Sequence, residues 1–254
     1  LLVSSCVLAT PPQRVASAGP TAYRSGVNAA QTINGDLAVR VAVDTAAMDW
    51  TPSPSGTVWR KRVHLVGPVE SGQVTSVVRY EPRSTFHVHD HPDGEEILVL
   101  EGVFSDEHGH WPAGTYLLNP EGFRHAPFSE PGCVLFVKLR QFPGRTREHV
   151  ALRSESLPWE PARAGVAVRR LYSQPEFTDS MRLERWEPRA RLGRFDYGSG
   201  AELFVVDGSF GDAGGSFGRG AWLRLPPGAS QSPSTDEGCV LYIKEGGFTD
   251  LRAR

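Results

Sequence analysis

The sequence predicts an all-β protein that contains two copies of one barrel. Glycine and proline are frequent, at 27 and 20 of 254 residues, and short runs of Val, Leu, Phe and Tyr end at turn residues. The chain also repeats itself after 106 residues, so that segment 79–82 (RYEP) matches segment 185–188 (RWEP) and Gly102 matches Gly208. A repeat that keeps turn glycines and strand cores in one register indicates two copies of the same β unit.

Charge and hydropathy restrict the partners. The chain carries 27 Lys and Arg against 29 Asp and Glu, a net charge of −2, which gives no electrostatic reason to expect nucleic acid or an anionic membrane. No segment has the uninterrupted apolar length that would span a bilayer. We therefore expect a small-molecule substrate or ligand, and a homodimer stays open.

The N-terminal segment differs in composition from the rest of the chain. Residues 1–36 are rich in Ala, Ser, Thr and Pro, and predict a flexible leader or tail that ends before a first strand at Leu37 to Val43. Cys133 and Cys239 open equivalent apolar strands, as buried thiols do, which suits a cytoplasmic protein. The alternative is an exported or lipid-anchored protein, if residues 1–6 are the remnant of a signal peptide with a lipobox at Cys6.

A set of potential metal ligands lies in the first copy. His89 and His91 are two residues apart, so they share one face of an extended strand. A turn through residues 92–94 can bring Glu95 beside them, and His125 can return from a neighbouring strand. Three imidazoles and one carboxylate form a set that binds divalent transition metals.

These segments resemble the two conserved motifs of the cupins. Residues 89–102 (HDHPDGEEILVLEG) match the first motif, and residues 114–125 (GTYLLNPEGFRH) match the second, although Ser129 stands where many cupins have Asn. The wording of residues 94–109 and 132–142 is similar to the cupin domain of ChrR-like proteins. Because two motifs and their separation agree, the resemblance is specific.

The resemblance implies two tandem cupin barrels of the jelly-roll, RmlC-like type, with a metal inside the first. It also implies that His89, His91, Glu95 and His125 are the ligands. We expect one divalent transition metal per chain, with iron or zinc first and manganese, nickel or copper open, because ligand type alone does not choose between them.

The repeat predicts different roles for the two copies. We place the metal-binding ChrR-like cupin at residues 37–145 and a degenerate, metal-free cupin at residues 146–254. In the register of the repeat the four ligands correspond, in order, to Phe195, Tyr197, Ala201 and Gln231. Aromatic packing would then replace coordination inside the second barrel.

Other residues near the motif carry weaker expectations. His87 shares the strand parity of His89, and we interpret it as a group at the rim of the metal site or as a surface histidine. Phe104, Tyr116 and Phe136 could line the pocket, although core packing is the commoner use of such residues. We expect Glu96 to be a surface carboxylate.

Two functions remain open. Cupins with this ligand set include non-heme dioxygenases, and some ChrR-like cupins resemble aryl-ketone dioxygenases, which would make this chain an oxidoreductase for a small ketone or aromatic substrate. Glu95 would be a ligand and, if it loosens, a catalytic base. The alternative is a ChrR-like sensory or binding protein with zinc and no catalysis. ChrR contacts a sigma factor through a helical zinc domain, but residues 1–40 contain one Cys and no His, so we do not expect a sigma factor partner.

Overall fold

The computed structural model describes residues 30–248 and residue 251, which confirm the all-β prediction. The strands before residue 145 are β1 Ala30–Ile33, β2 Val41–Asp44, β3 Thr51–Pro52, β4 Val58–Pro68, β5 Gln73–Tyr80, β6 Ser84–Thr85, β7 His89–His91, β8 Glu95–Asp106, β9 Gly109–Pro112, β10 Thr115–Asn119, β11 Phe123–His125, β12 Phe128–Ser129 and β13 Cys133–Leu139. The later strands are β14 Val150–Arg153, β15 Glu160–Arg163, β16 Val166–Ser173, β17 Ser180–Trp186, β18 Phe195–Tyr197, β19 Ala201–Asp212, β20 Gly215–Gly218, β21 Ala221–Leu225, β22 Ala229–Gln231 and β23 Cys239–Glu245. Within the described residues, a 3-10 turn lies at Ser154–Ser156. Within this part of the chain, no helix has the length and apolar character needed to cross a bilayer.

Two antiparallel sheets repeat one strand order. The first runs β1-β4-β5-β13-β8-β10-β14 and the second runs β15-β16-β17-β23-β19-β21-β2. Each is accompanied by a two-stranded ribbon, β7 with β11 in the first copy and β18 with β22 in the second. This arrangement is a jelly roll, repeated as the 106-residue period predicts.

The two copies exchange one strand each. Strand β2 pairs with β21 of the second sheet, with Val43 opposite Trp222, and β14 pairs with β10 of the first sheet, with Leu152 opposite Tyr116. Each exchanged strand crosses from the sequence range that we assigned to one copy into the sheet of the other. The domain boundaries at 37–145 and 146–254 therefore remain predictions. Neither range contains every strand of the sheet that it mostly forms.

The interface between the copies is an apolar core in its own right. Alternation along β8 points Ile97 into the first barrel and Leu98 toward the second barrel. There Phe136 stacks on Phe204, with ring centroids 4.4 Å apart, and both are buried with Tyr242. The two barrels therefore bury a shared hydrophobic face.

Charged groups are buried in the same interface. Glu96 accepts hydrogen bonds from the hydroxyls of Tyr116, at 2.8 Å, and Tyr242, at 2.6 Å, and burial raises its pKa. Lys138 of the first copy forms an ion pair with Glu202 of the second. The expectation that Glu96 lies at the surface is wrong, because the second barrel covers the face of β8 opposite Glu95.

The end of the predicted N-terminal tail, residues 1–36, belongs to the folded protein. Residues 30–33, which we had assigned to the tail, form β1 and pair with β4. Asn34 extends the contact, because its side-chain amide donates a hydrogen bond to the carbonyl of Val63 at 2.8 Å. The strand predicted at Leu37 to Val43 is shorter and is not the first strand, because β1 precedes it and residues 37–40 form a turn before β2 begins at Val41. The rest of the predicted tail, residues 1–29, and the proposed lipobox lie outside the described residues.

Deleting residues 1–36 is expected to lower the thermal stability relative to a chain that starts at residue 30. The deletion removes the β1 ladder and the Asn34 hydrogen bond, each hydrogen bond contributing about 1 kcal/mol net. A loss of about 2 kcal/mol lowers the melting temperature by roughly 4–8 °C in a protein of this size. Calorimetry on the two truncated proteins measures the difference. Equal melting temperatures would show that β1 contributes nothing to stability.

Candidate metal centre

The ribbon of β7 and β11 positions the three histidines. Its antiparallel register places His89 directly opposite His125, and alternation puts His91 on the same face as His89. After β7 the chain reverses at Gly94, which has a φ of +71°. A Cβ there would lie 2.8 Å from the carbonyl oxygen of Phe142, so this turn requires glycine. The turn delivers Glu95 to the start of β8.

His91, His125 and Glu95 converge, and His89 lies beside the other two histidines. The Nε2 atoms of His91 and His125 are 2.9 Å apart, and they lie 3.4 Å and 3.5 Å from Oε2 of Glu95. His89 joins them, since the three histidines offer ligand atoms within 4.8 Å of one another. Metal–ligand bonds of about 2.1 Å place neighbouring ligand atoms about 3 Å apart, so the distances among His91, His125 and Glu95 are the ones that fit a shared metal ion.

Hydrogen bonds at the outer ring nitrogens orient two imidazoles. Nδ1 of His89 lies 2.9 Å from the carbonyl oxygen of His87, and Nδ1 of His125 lies 3.1 Å from Oδ2 of Asp106. An Nδ1–H that donates to oxygen leaves the Nε2 lone pair directed at the centre. The donor set therefore suits a cation.

Asp106 and Asn119 form hydrogen bonds with two of the ligand candidates, and neither residue was predicted from the sequence. Asn119 donates from Nδ2 to Oε2 of Glu95 at 2.9 Å. Asp106 lies two residues after Phe104 on β8, so strand parity could have placed it on the inner face. Asn119 stands opposite Glu95 in the β8–β10 register, and that register is visible only in the structure.

The surroundings shift the pKa values of the two buried histidines in opposite directions. Burial and the neighbouring imidazoles lower the pKa of His91, against the opposing charge of Glu95. Burial also opposes a charge on His125, but its hydrogen bond to Asp106 and the charge of Glu95 outweigh burial and raise its pKa. A metal ion therefore competes with a proton more at His125 than at His91.

A cavity of about 440 Å³ opens beside these ligands inside the first barrel. Its walls are mostly apolar and include Phe104, while His87 lies exposed at its rim. Tyr116 and Phe136 do not line it, and they pack between the barrels instead. The reason is strand parity, because both share the outward face of the sheet with Leu98.

A family comparison adds to this geometry. A model of the ChrR Cupin-like domain matches residues 38–143 and again residues 147–249. The chain belongs to the ChrR cupin-like family. The expectation of two tandem cupins is thereby confirmed, and the two copies are called the first and second cupin below. No curated protein matches the chain.

Solved structures share the fold of both cupins together. A candidate dioxygenase from Nostoc punctiforme is 14% identical, with a TM-score of 0.68 over 90% of this chain and 91% of that one. A variant of oxalate decarboxylase OxdC from Bacillus subtilis is 13% identical, with a TM-score of 0.60 over 84% and 78%. The bacterial pirin YhhW from Escherichia coli, in complex with nickel(II), is 15% identical, with a TM-score of 0.58 over 82% and 99%. At these identities the likeness shows the fold.

The second cupin has filled the corresponding space with side chains. Phe195 stands opposite Gln231 in its ribbon, as His89 stands opposite His125 in the first. Gln231 donates from Nε2 to the hydroxyl of Tyr197 at 2.9 Å, and these side chains are buried in the barrel core. Among the described residues, the histidine triad of the first cupin is the cluster suited to a metal.

Proposed function

We propose that the first cupin is a non-heme, metal-dependent dioxygenase-type oxidoreductase for a small ketone or aromatic substrate. The observation that supports this most is the position of the ligand set at one end of a largely apolar cavity of about 440 Å³. A purely structural metal needs no such space, whereas a cavity of a few hundred Å³ is the size at which proteins enclose small organic ligands.

The ligand assignment is part of the proposal. His89, His91 and His125 would hold one divalent transition metal per chain, and Glu95 would provide the fourth ligand. When bound, iron would supply Lewis acidity and O₂ activation, while zinc would supply Lewis acidity alone. Asp106 keeps the ring of His125 aimed at the centre, and Asn119 keeps Oε2 of Glu95 in place.

Protein groups would also handle protons and water at the substrate. If the contact from Asn119 loosens, the carboxylate of Glu95 can accept a proton from an acidic substrate carbon. Tyr80 lines the cavity, and burial together with the charge of Glu95 raises its pKa, so its hydroxyl stays protonated and can donate to a substrate oxygen. The apolar walls, including Phe104 and Leu135, exclude water.

Metal analysis of protein purified without added metal, followed by oxygen-consumption assays with diketones and aryl ketones, tests the proposal. We expect one equivalent of metal per chain, and iron with turnover. Tightly held zinc without oxygen uptake would favour the sensory or binding alternative. Two equivalents of metal would contradict the assignment of the second cupin as metal-free.

A further inference from the structure

Three arginines line the cavity of the first cupin. Arg60 and Arg62 lie on β4, and alternation directs them inward together with Val58, while Arg140 follows the end of β13. Their side chains are only 19%, 12% and 29% exposed. Guanidinium groups inside a small apolar cavity are costly unless they have partners.

The two arginines on β4 share a single acidic partner. Nη1 of Arg60 lies 2.7 Å from Oε2 of Glu70, and Nη2 of Arg62 lies 3.2 Å from Oε1 of the same carboxylate. Two guanidinium groups therefore share one carboxylate, which leaves one positive charge unmatched within this trio. Burial and the charge of Arg60 lower the pKa of Arg62. A second anion placed here would relieve the repulsion.

The second cupin serves as an internal comparison. Arg60 stands opposite Val78, and the corresponding strand pair has Val168 opposite Glu184, so the arginine is replaced by a core valine. The counterpart of Arg62 is Arg170, whose side chain is 75% exposed and lies near Glu160. The pair of inward-facing arginines, Arg60 and Arg62, is therefore present in the cupin that has the histidine cluster and absent from the corresponding positions of the second cupin.

Arg140 is also an arginine that the second cupin lacks at the equivalent position. It adopts a left-handed conformation with a φ of +60°, and the equivalent position in the second cupin is Gly246, with a φ of +81°. The backbone amides of both bond to equivalent glycine carbonyls, those of Gly94 and Gly200. Glycine suits this conformation, whereas a side chain there is strained by about 1 kcal/mol. The first cupin keeps an arginine despite that strain.

We propose that the cavity binds a small organic carboxylate, held by Arg60 and Arg62 at one end while its other end reaches the ligand cluster. Guanidinium forks bind carboxylates through paired, charge-assisted hydrogen bonds. Glu70 accepts one charge-assisted hydrogen bond from each arginine and competes for the same groups, so an incoming carboxylate can replace it. The inference rests on the proposed function and narrows its substrate class to ketones or aromatic compounds that carry a carboxylate.

The test compares phenylglyoxylate with its neutral methyl ester by calorimetric titration of the full-length protein at its measured metal content. The wild type is expected to bind the acid at least about 10-fold more tightly than the ester. Arg60→Gln and Arg62→Gln should each weaken binding of the acid about 10-fold to 100-fold and leave the ester unchanged. Glu70→Gln removes the competitor and should strengthen binding of the acid.

Arg191→Gln is the matched control, because Arg191 pairs with Asp236 on the second cupin and is 63% exposed. It should change neither affinity. Equal affinity of the wild type for acid and ester, or no binding of the acid, overturns the carboxylate proposal. The ratio of the two affinities is measured without turnover, so it tests this inference separately from the proposed function. Oxygen uptake with neutral ketones, combined with equal affinity for acid and ester, would support the proposed function and contradict this inference.

Discussion

His125→Ala is expected to abolish stoichiometric metal binding. His125 is fully buried, and its Nε2 lies 2.9 Å from that of His91 and 3.5 Å from Oε2 of Glu95. The substitution removes a coordinate bond and also leaves the carboxylate of Asp106 without its imidazole partner. We expect metal affinity to fall by more than about 100-fold, the upper end of what loss of an outer-shell partner causes. Metal per chain after dialysis, measured by plasma emission spectrometry, gives the result.

Two further variants are expected to lose less metal affinity than His125→Ala. Asp106→Asn keeps His125 but weakens its orientation, and should lower metal affinity about 10-fold to 100-fold. His87→Ala should change little, since His87 contributes its backbone carbonyl to His89 and its side chain is exposed at the rim. Equal metal loss in His87→Ala and His125→Ala would show that the ligand assignment is displaced by two residues.

Lys138→Met is expected to lower the free energy of unfolding by about 3–5 kcal/mol. Lys138 is completely buried between the barrels, where it pairs with Glu202, and Glu202 also accepts a hydrogen bond from the indole of Trp222 at 3.0 Å. Removing the ammonium group leaves a buried carboxylate without its ion-pair partner. Urea unfolding followed by fluorescence and circular dichroism measures the change.

The double variant Lys138→Met/Glu202→Gln separates the ion pair from the packing. Removing both charges of the pair should recover much of the lost stability, because neither Lys138 nor Glu202 is then left buried without the other. The exposed pair of Arg191 and Asp236 provides the control, and Arg191→Met should cost less than about 1 kcal/mol. If Lys138→Met costs no more than this control, the buried pair does not stabilise the interface.

The same ion pair links stability to pH. Burial opposes the charge on Glu202, but Lys138 and Lys244 outweigh it and lower its pKa from 4.5 to about 2. A carboxyl whose pKa is lower in the folded state contributes stability above its unfolded pKa, and that contribution disappears as pH falls toward 2. Lys138→Met should therefore reduce the acid dependence of stability between pH 5 and 2.

Local patterns in the sequence were enough for the fold class and the candidate ligands. Strand alternation and turn residues act over a few positions, so His89, His91 and Glu95 could be placed together from spacing alone. The 106-residue repeat could also be read directly, and with it the replacement of the ligands by Phe195 and Gln231. The structure places the three histidines in one cluster, with Oε2 of Glu95 3.4 Å and 3.5 Å from Nε2 of His91 and His125, and the four-ligand set stays a prediction.

The tertiary structure alone decided which surface covers each face of a strand. Alternation states that Glu95 and Glu96 point to opposite sides, but only the docking of the second barrel makes Glu96 buried. In the same way, Asn119 reaches Glu95 through the register of β10 against β8, which joins two segments that are separated along the chain. Such pairings depend on loop closure and packing between whole sheets, which short-range sequence periodicity does not encode.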